Sequence, residues 1–503
     1  MRQLDRPDLR GFVPRQKPSE FRLVLKLTRP ENHSLERRKA FLPGGWIFLS
    51  TRGRILISAN VRLLGASLRR FCRRFRSCFK TRTHDTSAYA LRYWLGQLTL
   101  EDQRNFANIE RRLEPGRDGQ QLQQFMSDSP WSARRVYERI QDEIQKDPRL
   151  QEGGVLIVDE TADAKAGEGS AGVGRQYNGR LGKVDLCQVA TCLSFVHPAS
   201  GVWTLVDDEL FLPEHWFSPA YAQRREELGV PPQRTFQTKP ELALAMIQRA
   251  AQRGLRFERV AADDLYGRNR AFRAGLGPLP YALQVPRDTP ICLSRRARTR
   301  FPAMNVALWH KTPWQRLDVA PVERGRLCAQ FVGLRVWTPD REGQLEELWL
   351  VIRRDSDGRL TFTLLNDPAD TDLDTLVRAS CQRHFVERVI EDGKFELGWD
   401  DFCARKYLAW EHHVALTAAA LWFVAQVKLR WKERYERDPR LKKTFQLEVL
   451  PALSMANVRD LLQAALPLPR LGPAQARKLV AKHLVNRARS TSSRLKKERE
   501  NSS

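Results

Sequence analysis

The chain has 503 residues, 42% of them hydrophobic, which is enough for a sizeable core and for more than one domain. Its formal net charge is +26, of which residues 1–90 carry +15 and residues from 461 onward +8, so a polyanion, nucleic acid first, is the expected partner. No apolar run reaches the length of a membrane span, no signal peptide is legible, and the eight cysteines form no CxxC or paired Cys/His spacing for zinc. Reduced thiols, no membrane and a cytoplasmic location are expected.

In chain order, residues 1–88 are expected to be a basic extension outside the folded core. Within them GASLRRFCRRFRSCFK reads either as a basic amphipathic helix or as poorly ordered chain. Residues 89–150 show apolar positions at helical spacing and read as a helical module, either a DNA-binding domain or a helical packing domain. Ser129 with Pro130 reads as a helix start there. From 151 to 275 the pattern changes to strands. VLIVD, VDLCQVATCLSFVHP and GVWTLVDDELFLP are strand candidates. A helix follows, opened by a Thr238/Glu241 capping box and closed at Gly254, and then FERVAADD. Three strands, a helix and a fourth strand is the order of a ribonuclease-H-like core. Residues 276–378 read as a mainly β block, with LTFTLL alternating cleanly. Residues 379–435 read as helical and are expected to complete the core. Residues 436–503 are expected to be a helical segment and a basic, disordered tail. The expected fold class is α/β, a ribonuclease-H-like core with a β insertion, an N-terminal helical domain and basic tails.

Three carboxylates carry the chemistry. Asp159 ends one apolar run and Asp263 another, at strand ends where a rigid sheet displays reactive groups. Glu387 lies in a helix, with Arg383 four residues before it and Lys394 seven after. Seven residues turn a regular helix by about 700°, so Glu387 and Lys394 are expected on nearly one face. Together the three acids form a possible cage for two hard divalent cations, the arrangement that cuts and joins phosphodiesters. From spacing alone, Arg383 and Glu387 read first as an ordinary i,i+4 surface pair. GEGSAG (Gly167, Gly169, Gly172) matches a dinucleotide fingerprint, but a strand follows it where a helix is needed. His412 and His413 are adjacent on a helix and make a poor metal pair.

Arg383, Glu387 and Lys394 match the R-x3-E-x6-K part of the tyrosine-arginine-glutamate-lysine signature. With VLIVDETADAKAGEGSAGVGRQYNGRLGKVDLCQVATCLSF, LFLPEHW, ADDLYG and LQQFMSDSPW, the chain from about 90 to 500 resembles DDE-superfamily insertion-sequence transposases of the IS-seven-oh-one type, related to the IS-four group. The resemblance implies a β insertion before the glutamate helix. It implies metal-dependent DNA cleavage at insertion-sequence ends and strand transfer into target DNA. Two Mg²⁺ ions, replaceable by Mn²⁺, would be held by Asp159, Asp263 and Glu387 as catalytic residues. Arg383 and Lys394 would contact DNA phosphate. The partners would be terminal inverted repeats and target DNA, with a dimer on the DNA. The signature tyrosine falls on Ser380. The alternative is a catalytically silent, transposase-derived DNA-binding protein.

Overall fold

The computed structural model describes residues 39–42, 45–48 and 64–466, except 102, 115–118, 180, 323–324 and 436–452, together with scattered positions from 474 onward. The apolar stretch 54–63 and most of both basic ends therefore lie outside the described residues. Lys39–Leu42 and Gly45–Phe48 pair as a short antiparallel hairpin.

A helical layer comes first. Residues 64–75 form α1, followed by α2 (Ser87–Thr99), α3 (Phe106–Leu113), α4 (Gln120–Ser127) and α5 (Ala133–Lys146). For residues 64–88 the expectation of an extension outside the core is corrected here. Phe71, Phe75 and Phe79 recur every four residues and are fully buried. Phe71 meets Trp94 and Phe423 edge-on, each at 5.3 Å between ring centroids. Aromatic burial of this size outweighs the repulsion among flanking arginines, which keep their heads at the surface. The helix start expected at Ser129 is also corrected. The Ser129 N–H closes onto the Gln124 carbonyl, and α5 begins at Ala133. Trp131, stacked on His412 at 3.6 Å, holds the intervening chain extended.

The strands are β1 (Val155–Ala164), β2 (Gly174–Asn178), β3 (Lys183–His197), β4 (Val202–Phe211), β5 (Arg259–Ala262), β6 (Tyr281–Val285), β7 (Gln315–Val322), β8 (Gly325–Pro339), β9 (Leu345–Arg354) and β10 (Leu360–Leu365). They form one mixed ten-stranded sheet in the order β7-β8-β9-β10-β6-β5-β1-β3-β2, with β4 also on β3. Its centre reads β4-β3-β1-β5-β6. The first three are antiparallel neighbours, and β1, β5 and β6 run parallel. The β-rich block is continuous with this sheet through β10 on β6. A boundary at 275 would cut β6 from the parallel partner that holds it. Its sequence, YALQV, is too short to show a period.

Helix α6 (Lys239–Gln252) crosses from β4 to β5, and both bonds of the Thr238/Glu241 capping box are made. Gly254 follows at φ +79°, the left-handed conformation that suits glycine at a helix end. After β10 come α7 (Leu373–Ser380), α8 (Phe385–Glu391) and the long α9 (Tyr407–Tyr435). Most of α9 from Ala409 to Ala425 is buried, as expected of a helix apolar all round. It lies between β4 and the helical layer, so Glu143 of α5 receives bonds from Arg74, Trp422 and Gln426 together. A last helix, α10 (Met455–Ala465), docks on α2, where Gln463 donates to the Thr99 carbonyl at 3.0 Å.

Candidate active site

The parallel pair β1 and β5 sets the first two carboxylates. Val158 is level with Ala262, so Asp159 stands beside Asp263, the first residue beyond β5; the strand end expected at Asp159 is corrected, since β1 runs on to Ala164 against β3. Their backbones are then about 5 Å apart, the usual strand spacing. Asp159 accepts from the Glu160 N–H at 2.8 Å, and Asp263 caps the next turn by accepting from the Leu265 N–H at 3.0 Å. Its neighbour Asp264 is half exposed and bound to Arg268 at 2.8 Å, away from this pair. Position therefore favours Asp263 over Asp264.

Burial dominates the electrostatics. It pushes the Asp159 carboxyl up to about 7, against the pull of Arg383 and with the push of Asp263. Burial raises Asp263 too, again opposed by Arg383, with Glu160 adding repulsion. Two buried acids side by side with raised affinities for protons are a site that gains from a cation. Their oxygens are the hard ligands that Mg²⁺ prefers, so this pair fits such an ion.

Glu387 does not join them directly. Its side chain is 62% exposed and is held by Arg383 Nη1 at 3.0 Å, while Arg383 Nη2 stands 3.5 Å from Asp159 Oδ2. The i,i+4 pair expected from spacing therefore exists, but its arginine also reaches the strand-end acids. Among the described residues no group of three or more His, Cys, Asp or Glu side chains closes into a metal cluster. The guanidinium fills the positive role between Asp159 and Glu387.

Lys394 departs from expectation. A π-turn, Asp392–Glu396, follows α8 and breaks the regular angular step from Glu387. Lys394 is only 5% exposed, binds Asp163 Oδ1 at 2.6 Å and donates to the Ala162 carbonyl at 2.8 Å. It anchors the glutamate segment to β1 instead of facing solvent beside Glu387. No motif singles out Asp163, although it lies four residues after Asp159 and so on the same face of the strand. Glu160 carries no such signal either. It binds Lys239 at 2.9 Å and accepts from Tyr266 at 3.5 Å. Ser380, at the signature tyrosine's place, is buried and donates to Val377. His412 and His413 are core residues, and His413 is satisfied by Tyr93 and the Trp399 carbonyl. The glycines of GEGSAG precede β2, with no helix at that point.

Residues 74–303 match the family described as DDE superfamily endonuclease. A probable transposase for insertion sequence element IS701 from Microchaete diplosiphon is 26% identical over 302 residues, covering 58% of this chain and 70% of that protein. The crystal structure of the NurA nuclease from Sulfolobus solfataricus covers 48% of this chain and 79% of its own at 12% identity. The TM-score is 0.22.

Proposed function

Because the chain carries a DDE-superfamily, IS701-related transposase domain, we propose that it cuts DNA at insertion-sequence ends and transfers the cut strand into target DNA. The observation that carries this reading is the placement of Asp159, in the middle of β1, beside Asp263, the first residue beyond β5, where the parallel ladder ends inside the matched region. The central strand order, third-second-first-fourth-fifth, supports a ribonuclease-H-like core. In this reading the β7–β10 strands are the insertion that precedes the glutamate helix.

Asp159 and Asp263 would hold the divalent ions, with Glu387 as the third carboxylate. When bound, such ions supply charge for a phosphate oxygen and lower the proton affinity of an attacking water or 3′-hydroxyl. The chain's own residues do the rest. The end of the β1–β5 parallel ladder fixes the two acids side by side. Arg383, beside both Asp159 and Glu387, would offer a phosphate its guanidinium fork. Lys394 keeps the glutamate segment docked through Asp163.

One observation favours a second reading, a silent DNA-binding descendant. Glu387 stands apart from the two aspartates. Incubating the full chain with the ends of its own element separates the two. Nicking that requires Mg²⁺ or Mn²⁺ and is lost in Glu387→Gln supports the transposase. Binding without nicking in either metal leaves the silent descendant.

A further inference from the structure

The strongest unexplained feature outside the carboxylate site is an arginine-rich loop in the β block. No acidic residue occurs from 289 to 317, whereas Arg295, Arg296, Arg298, Arg300, Lys311 and Arg316 all do. Leu293 to Arg300 is exposed throughout. Among the described residues, none of Arg295, Arg296, Arg298 and Arg300 has a carboxylate partner. Arg295 alone has an aromatic contact, 5.8 Å from the centroid of the Trp337 ring. Elsewhere this chain pairs its arginines freely, as Arg249 and Arg134 do with Asp207.

The loop's base is rigid. Pro290–Ile291 pairs with Phe301–Pro302, Cys292 exchanges two backbone bonds with Trp337, and Ile291, Ala303 and Val306 are buried in the main core. Met304 N–H closes onto the Arg287 carbonyl, and Arg287 lies three residues beyond Gln284. Ala262 is level with Leu283, so Gln284 is the β6 neighbour of Asp263. The segment thus leaves the sheet at the carboxylate edge. Beside it Trp309 is 41% exposed and leans on Phe301 at 5.6 Å.

Four guanidinium groups without a carboxylate partner among the described residues repel one another on a packed base and, the contact of Arg295 with Trp337 aside, gain nothing from the fold. Their chemistry fits a row of phosphates, and an adjacent exposed indole adds an apolar contact for sugar or base. A second copy of this chain is a poor occupant, because each copy carries +26. We propose that the Leu293–Arg300 loop, with Lys311 and Trp309 beside it, clamps the phosphate backbone of duplex DNA entering the carboxylate site. This rests on the transposase reading above.

The test replaces Arg295, Arg296, Arg298 and Arg300 together by glutamine in the full chain, with an all-lysine version as charge control. Affinity for a short mixed-sequence DNA duplex is measured by fluorescence anisotropy across a salt series. Each lost phosphate contact should flatten the slope of log affinity against log salt by about 0.9, so the glutamine variant should lose about 3 to 4. The lysine version should keep most of the slope. Both should melt like the parent, since the loop is exposed. An unchanged slope overturns the proposal. So does an unchanged slope with altered sedimentation, which would give the loop to a protein partner. Metal-dependent nicking by the parent is scored separately. Its absence sinks the transposase reading while leaving the salt slope measurable.

Discussion

At Asp159 the structure sets function against stability. Its carboxyl is buried and pushed up to about 7, so its charge costs folding energy at pH 8. Asp159→Asn keeps the shape and removes the charge. It should abolish metal-dependent cutting while raising stability by about 1 kcal/mol, the usual sign when a strained functional group is neutralised. Thermal melts beside a nicking assay check both, and a variant that cuts like the parent would remove Asp159 from the catalytic set. Arg383 is the counterweight. Arg383→Gln leaves two buried acids without their cation and should cost about 3 kcal/mol at neutral pH. Mg²⁺ should then raise the melting temperature more in this variant than in the parent, because the ion replaces the missing charge by mass action. Equal Mg²⁺ responses would mean that the guanidinium and the metal do not compete.

Among the elements, the turn after β5 depends on a close approach. A Cβ on Gly267 would lie 1.9 Å from the backbone oxygen of Gln284 on β6. Backbone cannot rotate away as a side chain can, so Gly267→Ala should cost about 3 kcal/mol and displace Asp263 with its turn. A denaturant titration measures the first effect and loss of nicking the second. The elements also show where local reading works. The capping box at Thr238 was legible because both partners are three residues apart. The inward turn of Lys394 was not, because a single π-turn alters the angular step and leaves no mark in residue spacing. The 64–79 segment was ambiguous for a related reason. Arginines between buried phenylalanines look like a solvated run until a groove for the rings is known.

For the whole molecule, acid is the relevant stress. His413 lies in the seam between α2 and α9, neutral, with burial lowering its pKa to about 4 from 6.5. The unfolded chain binds a proton there between those values and the folded chain does not, so stability falls as pH drops through that window. The loss is about 3 kcal/mol when complete. Buried acids such as Glu411, raised to about 7 by burial, work in the opposite direction. The difference between parent and His413→Gln melts from pH 7 to 4 isolates the histidine. A pH-independent difference would show that His413 contributes packing alone.

What the residues determined by themselves was that Asp159 lies in an apolar strand and Asp263 directly after another, that the capped helix at Thr238 stands between them, and the basic character that calls for a polyanion. These follow from apolar runs, turn chemistry and charge, all local properties. Tertiary structure alone decided that β1 runs on past Asp159, that Arg383 also reaches Asp159, that Lys394 turns inward to Asp163, that the β block continues the central sheet, and that, among the described residues, four arginines of one loop have no carboxylate partner. Each depends on which segments far apart in sequence meet, and that is chosen by packing, which no local pattern encodes.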